Sequence, residues 1–261
     1  MATRILEGIK VLDFTRLLPG PFGTQLLADY GAQILKIEDL QGGDYARMFP
    51  PLYNNFGAFF ASLNRNKKSI ALDLKKPEGL SIVNRLVEKG GFDIVIEGFR
   101  PGVAEKLGID YDSLKAFNPG LIHASLPGFG EGSTKRDYAC HDMNAMALSG
   151  ILSITGNRET GPTIPGIQVD DLASGLYLIS AILAAVVQRL RTGNGQKIEV
   201  AMADVALALN QTNLACDALE KTPHGFEDNL LSGRYIFYRV YETRDGRFLS
   251  VAAVEQKFWA K

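Results

Sequence analysis

Cysteine, histidine and tryptophan are scarce, with two, three and one in 261 residues. Two cysteines, Cys140 and Cys216, make neither a disulfide framework nor a zinc site, and no metal is expected. A reduced, cytoplasmic setting fits that usage. An excess of one charge is also missing, since 28 Lys plus Arg stand against 29 Asp plus Glu. Nothing in that balance argues for a nucleic-acid or membrane-surface partner, so an anionic ligand has to be held by a local basic cluster. The most hydrophobic run, Leu176 to Val187, falls short of the roughly 20 residues of a bilayer span and reads as a buried helix. The N-terminal stretch carries charges among its apolar residues and no export pattern. G-x-S-x-G, H-E-x-x-H and Walker motifs are absent, which sets aside serine hydrolases, zinc proteases and P-loop NTPases.

What is present is a composition 46% hydrophobic and 22% charged, ordinary for a globular chain. Its apolar residues fall into alternating strand and helix patterns. GIKVLDF (8–14), AQILKIE (32–38), KSIALDL (68–74), FDIVIEGF (92–99), IHASL (122–126) and KIEVAM (197–202) read as strands. Between them come helical stretches opened by proline or acid and closed by glycine, such as PEGLSIVNRLVEKG (77–90) and the long one from Asp170 through Arg191. This predicts an α/β fold, a Rossmann-like open and mostly parallel sheet with flanking helices and right-handed crossovers. Residues 1–202 are expected to form this large domain, 203–224 a linker helix and loop, and 225–261 the beginning of a smaller α+β domain. Its signal is a hairpin, YIFYRVYET and FLSVAAVE about a turn at Arg244 to Gly246. The chain stops at FWAK, where a helix would start, so this second domain looks incomplete.

Four features carry possible chemistry, each with a plainer alternative. RDYACHDMNAMALSG (136–150) sets His141 among acids at an apparent helix start; a cap or a packed side chain is the plainer reading. Asp170 and Asp171 open the long apolar helix, where one of them can serve as cap while both are not needed. Basic residues gather in NRNKKS (64–69), DLKK (73–76) and FRPG (99–102), around strand ends where ligands dock in open parallel sheets; solvated surface explains them equally well. Glu255 closes an apolar strand, as either a solvent-facing terminus or a site residue. GFGEGS (128–133) comes too late and with the wrong spacing for a dinucleotide fingerprint. His123 and His224 have no such company and read as structural. The remainder, His plus carboxylates beside a surface for phosphate, suits acid–base or carboxylate-nucleophile chemistry on a nucleotide-tailed substrate.

GIKVLDFTRLLPGPFGTQLLADYGAQILKIE, NRNKKSIALDLKKPEG, IEGFRPGVAEKLGIDY, LIHASLPGFGEGS and TGNGQKIEVAMAD run in order along nearly the whole chain. Together they resemble the family III CoA transferases and α-methylacyl-CoA racemases, the CaiB/BaiF-like proteins. The resemblance implies a substrate that is an acyl-CoA, with coenzyme A part of the substrate and no covalently bound cofactor. It also implies an interlocked homodimer or a hetero-oligomer. Transferases of the family work through an aspartate matching Asp171, which forms an aspartyl-CoA thioester. Racemases keep it and add a histidine and a glutamate, matched here by His141 in CHDMNAMALSG and Glu255 in AVEQKFW. Leu72, Lys75, Gly98, Phe99 and Arg100 match positions that contact CoA, and Lys106 stands where some members have arginine. Asp39 departs from the pattern, since many members carry a basic residue there, and so do Cys140 and Gln256, which stand in place of the racemase glycine and proline. The reading is therefore epimerisation of a 2-methylacyl-CoA, with His141, Asp171, Glu255 and the backbone N–H of Asp142 in the catalytic set. CoA transfer through Asp171 is the alternative, and a non-catalytic subunit of a transferase is the third.

Overall fold

The structure, a computed structural model, describes residues 4–260. Two compact units divide the chain: the first takes residues up to Asp142 together with Val169–Val205, the second takes Met143–Gln168 together with the residues from Ala206 onward.

The first unit is built on six strands, β1 (Lys10–Asp13), β2 (Gln33–Glu38), β3 (Lys67–Ala71), β4 (Ile94–Glu97), β5 (Ile122–Ser125) and β6 (Gln196–Glu199). All pairings are parallel, in the order β3-β2-β1-β4-β5-β6. Alternation along the strands sends Val11, Ile94, Ile96, Ile122 and Ala124 to one face and Leu12, Val95 and Leu121 to the other. The first face is covered by α1 (Pro19–Asp29) and α8 (Val169–Thr192), the second by α3 (Pro77–Glu88), α4 (Val103–Leu107) and α5 (Tyr111–Leu114). A seven-residue helix, α2 (Ala58–Asn64), stands between β2 and β3. From β1 the chain winds outward to β2 and β3, then returns to β4 and winds the other way. The carboxyl ends of β1 and β4 are thus the topological switch point, where side chains can line a crevice.

One crossover departs from expectation. The step β1 to β2 and the step β5 to β6 run in opposite directions across the sheet, yet α1 and α8 cover the same face. Their hands are therefore opposite, against the general right-handed preference. The β5–β6 connection is not a compact crossover, because the chain leaves for the second unit between Met143 and Gln168 before α8 begins. Helices α1 and α8 approach closely at Gly23 and Gly175; a Cβ on Gly175 would lie 2.7 Å from Pro19 O. By length and composition α8 alone, among the described residues, is apolar enough to cross a membrane, but half of that window is buried against the sheet.

In the second unit, residues from α6 (Asp142–Leu148) and α7 (Ile151–Ile154) belong with α10 (Gln211–Glu220), a hairpin of β7 (Tyr238–Glu242) and β8 (Phe248–Ala252), and α11 (Gln256–Trp259). The linker helix expected within 203–224 is in fact two. It breaks at Asn210 between α9 (Met202–Leu209) and α10, where buried Asn210 donates its side-chain amide to Ser149 O at 2.9 Å.

Candidate active site

The turn after β1 is held from below by buried ions. Asp13 accepts hydrogen bonds from the Thr15 N–H and hydroxyl and from the Thr24 hydroxyl, and pairs with Lys67. Burial raises the Asp13 carboxyl, but Lys67, Lys36 and the two hydroxyls outweigh it and hold the group at about 2. Lys36 donates to Thr15 O at 2.6 Å and pairs with Asp44 at 3.1 Å. Asp44 in turn accepts from Leu17 N–H, fixing Leu17 at a left-handed φ of 65° that a branched residue adopts only under constraint. This network engages three residues of the NRNKKS cluster, for which ligand binding and solvated surface were equally open. Lys67 is spent on Asp13, Thr24, Pro21 O and Asn64, while Arg65 and Asn66 bind Asp29 at the end of α1.

Above this floor lies a cavity of about 240 Å³, lined by Phe14, Arg16, Leu17, Tyr45, Gly98, Phe99, Cys140, His141 and Asp171. His141 sits in the loop immediately before α6, and Asp171 in the first turn of α8. A second cavity of about 430 Å³ contains Leu72 and Lys75 from the turn after β3, with Asp39 from the turn after β2. The two share Phe14, Arg16 and Phe99 as common wall. Both include residues that follow β1 and β4, where the winding reverses.

The start of α8 is capped from outside the helix. Asp142 Oδ1 accepts the N–H of Asp170 at 2.7 Å and that of Asp171 at 3.1 Å, so neither of the expected caps is one. With its backbone donors spent on Asp142, Asp171 is left buried beside a like charge. Burial first and Asp142 second push its carboxyl up to about 7. Asp170 is fully buried and is raised to about 8 by burial, Asp142 and Asp171. A carboxyl poised near 7 is matched to proton transfer at neutral pH.

Of the anticipated residues, His141, Asp171, Gly98 and Phe99 line the first cavity, and Leu72, Lys75 and Phe99 the second. Asp142 acts here through its side chain as a cap. Arg100 borders a smaller cavity behind the β4 turn, and Lys106 is exposed on α4. Glu255 belongs to the second unit, where it is exposed and precedes α11. Sequence reasoning passed over Arg16 and Tyr45. Arg16 pairs with Asp39 at 2.9 Å, so the acid at the departing position sits with a cation that itself borders both cavities. An arginine two residues beyond a buried strand was the available signal; Tyr45 lay hidden in an aromatic-rich connection with no periodicity.

The family model for CoA-transferase family III matches residues 6–261. The chain belongs to that family. Succinate–glutarate CoA-transferase of Agrobacterium fabrum is 41% identical over 211 residues, covering 78% of this chain and 52% of that protein. Alpha-methylacyl-CoA racemase of Homo sapiens is 36% identical over 257 residues, covering 97% and 63%. A CAIB/BAIF family protein from Brucella suis superposes with a TM-score of 0.85 at 32% identity, over 95% of this chain and 65% of that one. The chain thus spans between 52% and 63% of the length of these two curated relatives. Among the described residues no cluster able to hold a metal occurs.

Proposed function

We propose that this chain epimerises the α-carbon of a 2-methylacyl-CoA by two-base proton exchange. The observation that carries the reading is one cavity walled by both His141 and Asp171, with the Asp171 carboxyl near 7. The thioester carbonyl makes the adjacent C–H acidic, because the carbanion delocalises onto oxygen as an enolate. One group takes the proton from one face, and the other delivers a proton to the opposite face, so no atom is gained or lost. His141 serves one face, with Glu255 assigned to its support by the family resemblance, and Asp171 serves the other. The backbone N–H of Asp142 is assigned to the enolate oxygen, a donor worth about 10²-fold to 10³-fold in comparable sites. CoA occupies the cavity of Leu72 and Lys75, with its thioester end toward Asp171. The interlocked dimer and the cytoplasmic setting belong to the same proposal.

The test incubates one epimer of a 2-methylacyl-CoA in deuterated water and follows epimerisation and α-deuterium uptake. Absence of both with intact protein sinks the reading. CoA transfer is the second reading, favoured by the names of relatives such as the Agrobacterium fabrum and Mus musculus CoA-transferases. It uses the Asp171 carboxylate as nucleophile, and new CoA esters formed from added free acids in the same tube would reveal it. The pH profile separates the two. A dyad that must hold one proton gives a rate falling on both sides of an optimum, whereas a nucleophilic carboxylate gives a rate rising through about 7 to a plateau.

A further inference from the structure

Behind the turn that separates the two site cavities lies a buried carboxylate with no evident catalytic task. Glu97 ends β4, is 4% exposed, and accepts the Phe99 N–H at 2.7 Å. Gly98 lines the Asp171 cavity and Phe99 lines both. We propose that Glu97 is a positioning residue for coenzyme A, fixing the Gly98–Phe99–Arg100 turn through that single bond so that the common wall of the two cavities keeps its shape. The proposal rests on the reading that these cavities take an acyl-CoA, and it concerns binding rather than the proton exchange.

The surroundings of Glu97 explain why its state matters. Its other side faces a space of about 30 Å³, room for one water, with Glu105 of α4, His123 of β5, and Lys197 and Glu199 of β6 around it and Glu131, Asp110, Tyr111 and Arg100 at its edge. The Lys197 ammonium is engaged by Glu131 at 2.7 Å, and His123 directs Nε2 to Ile109 O, so no cation pairs with Glu97 among the described residues. Burial pushes its carboxyl up to about 7, with Glu105 and Glu199 acting in the same sense against the Phe99 bond and Lys197. Above that pH the carboxylate is a strong acceptor for the Phe99 N–H. Below it the protonated acid is a weaker one, and the turn loosens.

The experiment measures binding of free coenzyme A to the full chain by calorimetry between pH 6 and pH 8, with wild type, Glu97→Gln and Glu97→Ala. Glu97→Gln keeps a neutral acceptor and removes the titration. Wild-type affinity is expected to fall several-fold from pH 8 to pH 6 more than that of Glu97→Gln, and Glu97→Ala to bind about tenfold more weakly than wild type at pH 8. In turnover the loss appears in KM and not in kcat. Identical pH curves for wild type and Glu97→Gln overturn the proposal, and that comparison decides alone should Glu97→Ala not fold. Wild type that binds coenzyme A without α-deuterium exchange defeats the epimerase reading and leaves this proposal standing; wild type that binds none overturns both.

Discussion

Two groups of buried acids in the first unit make an instructive pair. Asp13 and Asp44 lie beneath the β1 turn, and Asp142, Asp170 and Asp171 lie at the head of α8. All five are nearly inaccessible to solvent. Lysines and hydroxyls answer the first group, holding Asp13 at about 2. The second group has no lysine paired with it among the described residues; the two backbone donors at the helix start go to Asp142, and Asp171 is left near 7. Burial is common to both, so the partner decides whether a buried acid serves as permanent structure or as an acid–base group.

The pair also divides the pH dependence of stability. Asp13 binds its proton less readily folded than unfolded, so its contribution is present above the ordinary carboxylate range and is lost as pH falls through about 2. Asp171 binds its proton more readily when folded, so its contribution is present below the ordinary carboxylate range and is lost as pH rises through about 7.

The sharpest way to break the comparison is Asp171→Asn. Exchange at the α-carbon is expected to drop about 10³-fold, while urea unfolding at pH 8 shows stability equal to or above wild type. Full activity, or a marked loss of stability, would contradict the division of roles. Lys67→Met should do the converse. It strands Asp13 in the interior and is expected to cost about 3 kcal/mol or more in the same unfolding experiment, with turnover per folded molecule retained; a loss under about 1 kcal/mol would mean the network is not structural. Smallest is Asp39→Ala, which breaks a half-exposed pair with Arg16. Stability should change by no more than about 1 kcal/mol. Coenzyme A affinity should rise about twofold to threefold, because a carboxylate leaves the wall of a cavity for a phosphate-bearing ligand; weaker binding would show that the pair orients Arg16 usefully.

Much of the scaffold was legible in advance. Strands such as Ile94–Glu97 open on a continuous apolar run, Ile94 to Ile96, and the helix at Pro77 is bracketed by its own proline and glycine, so local pattern sufficed. His141 and Asp171 could be singled out, but not shown to share a cavity, because 30 positions of chain separate them and no short-range rule joins them. Arg16 was missed for the same reason, its partner Asp39 being set by the parallel pairing of β1 with β2. The burial of Lys67 within the NRNKKS cluster was not legible, since nothing local marks it as lying under the β1 turn.

By itself the sequence determined what short-range physics controls: which segments extend, which coil into helices, and which chemical groups are available. Only the tertiary structure decided strand order, the opposite hand of the α8 crossover, the capping of α8 by Asp142 and the state of each buried acid. Those depend on free energies of burial and pairing between residues far apart in the chain, which exist only once the sheet has assembled.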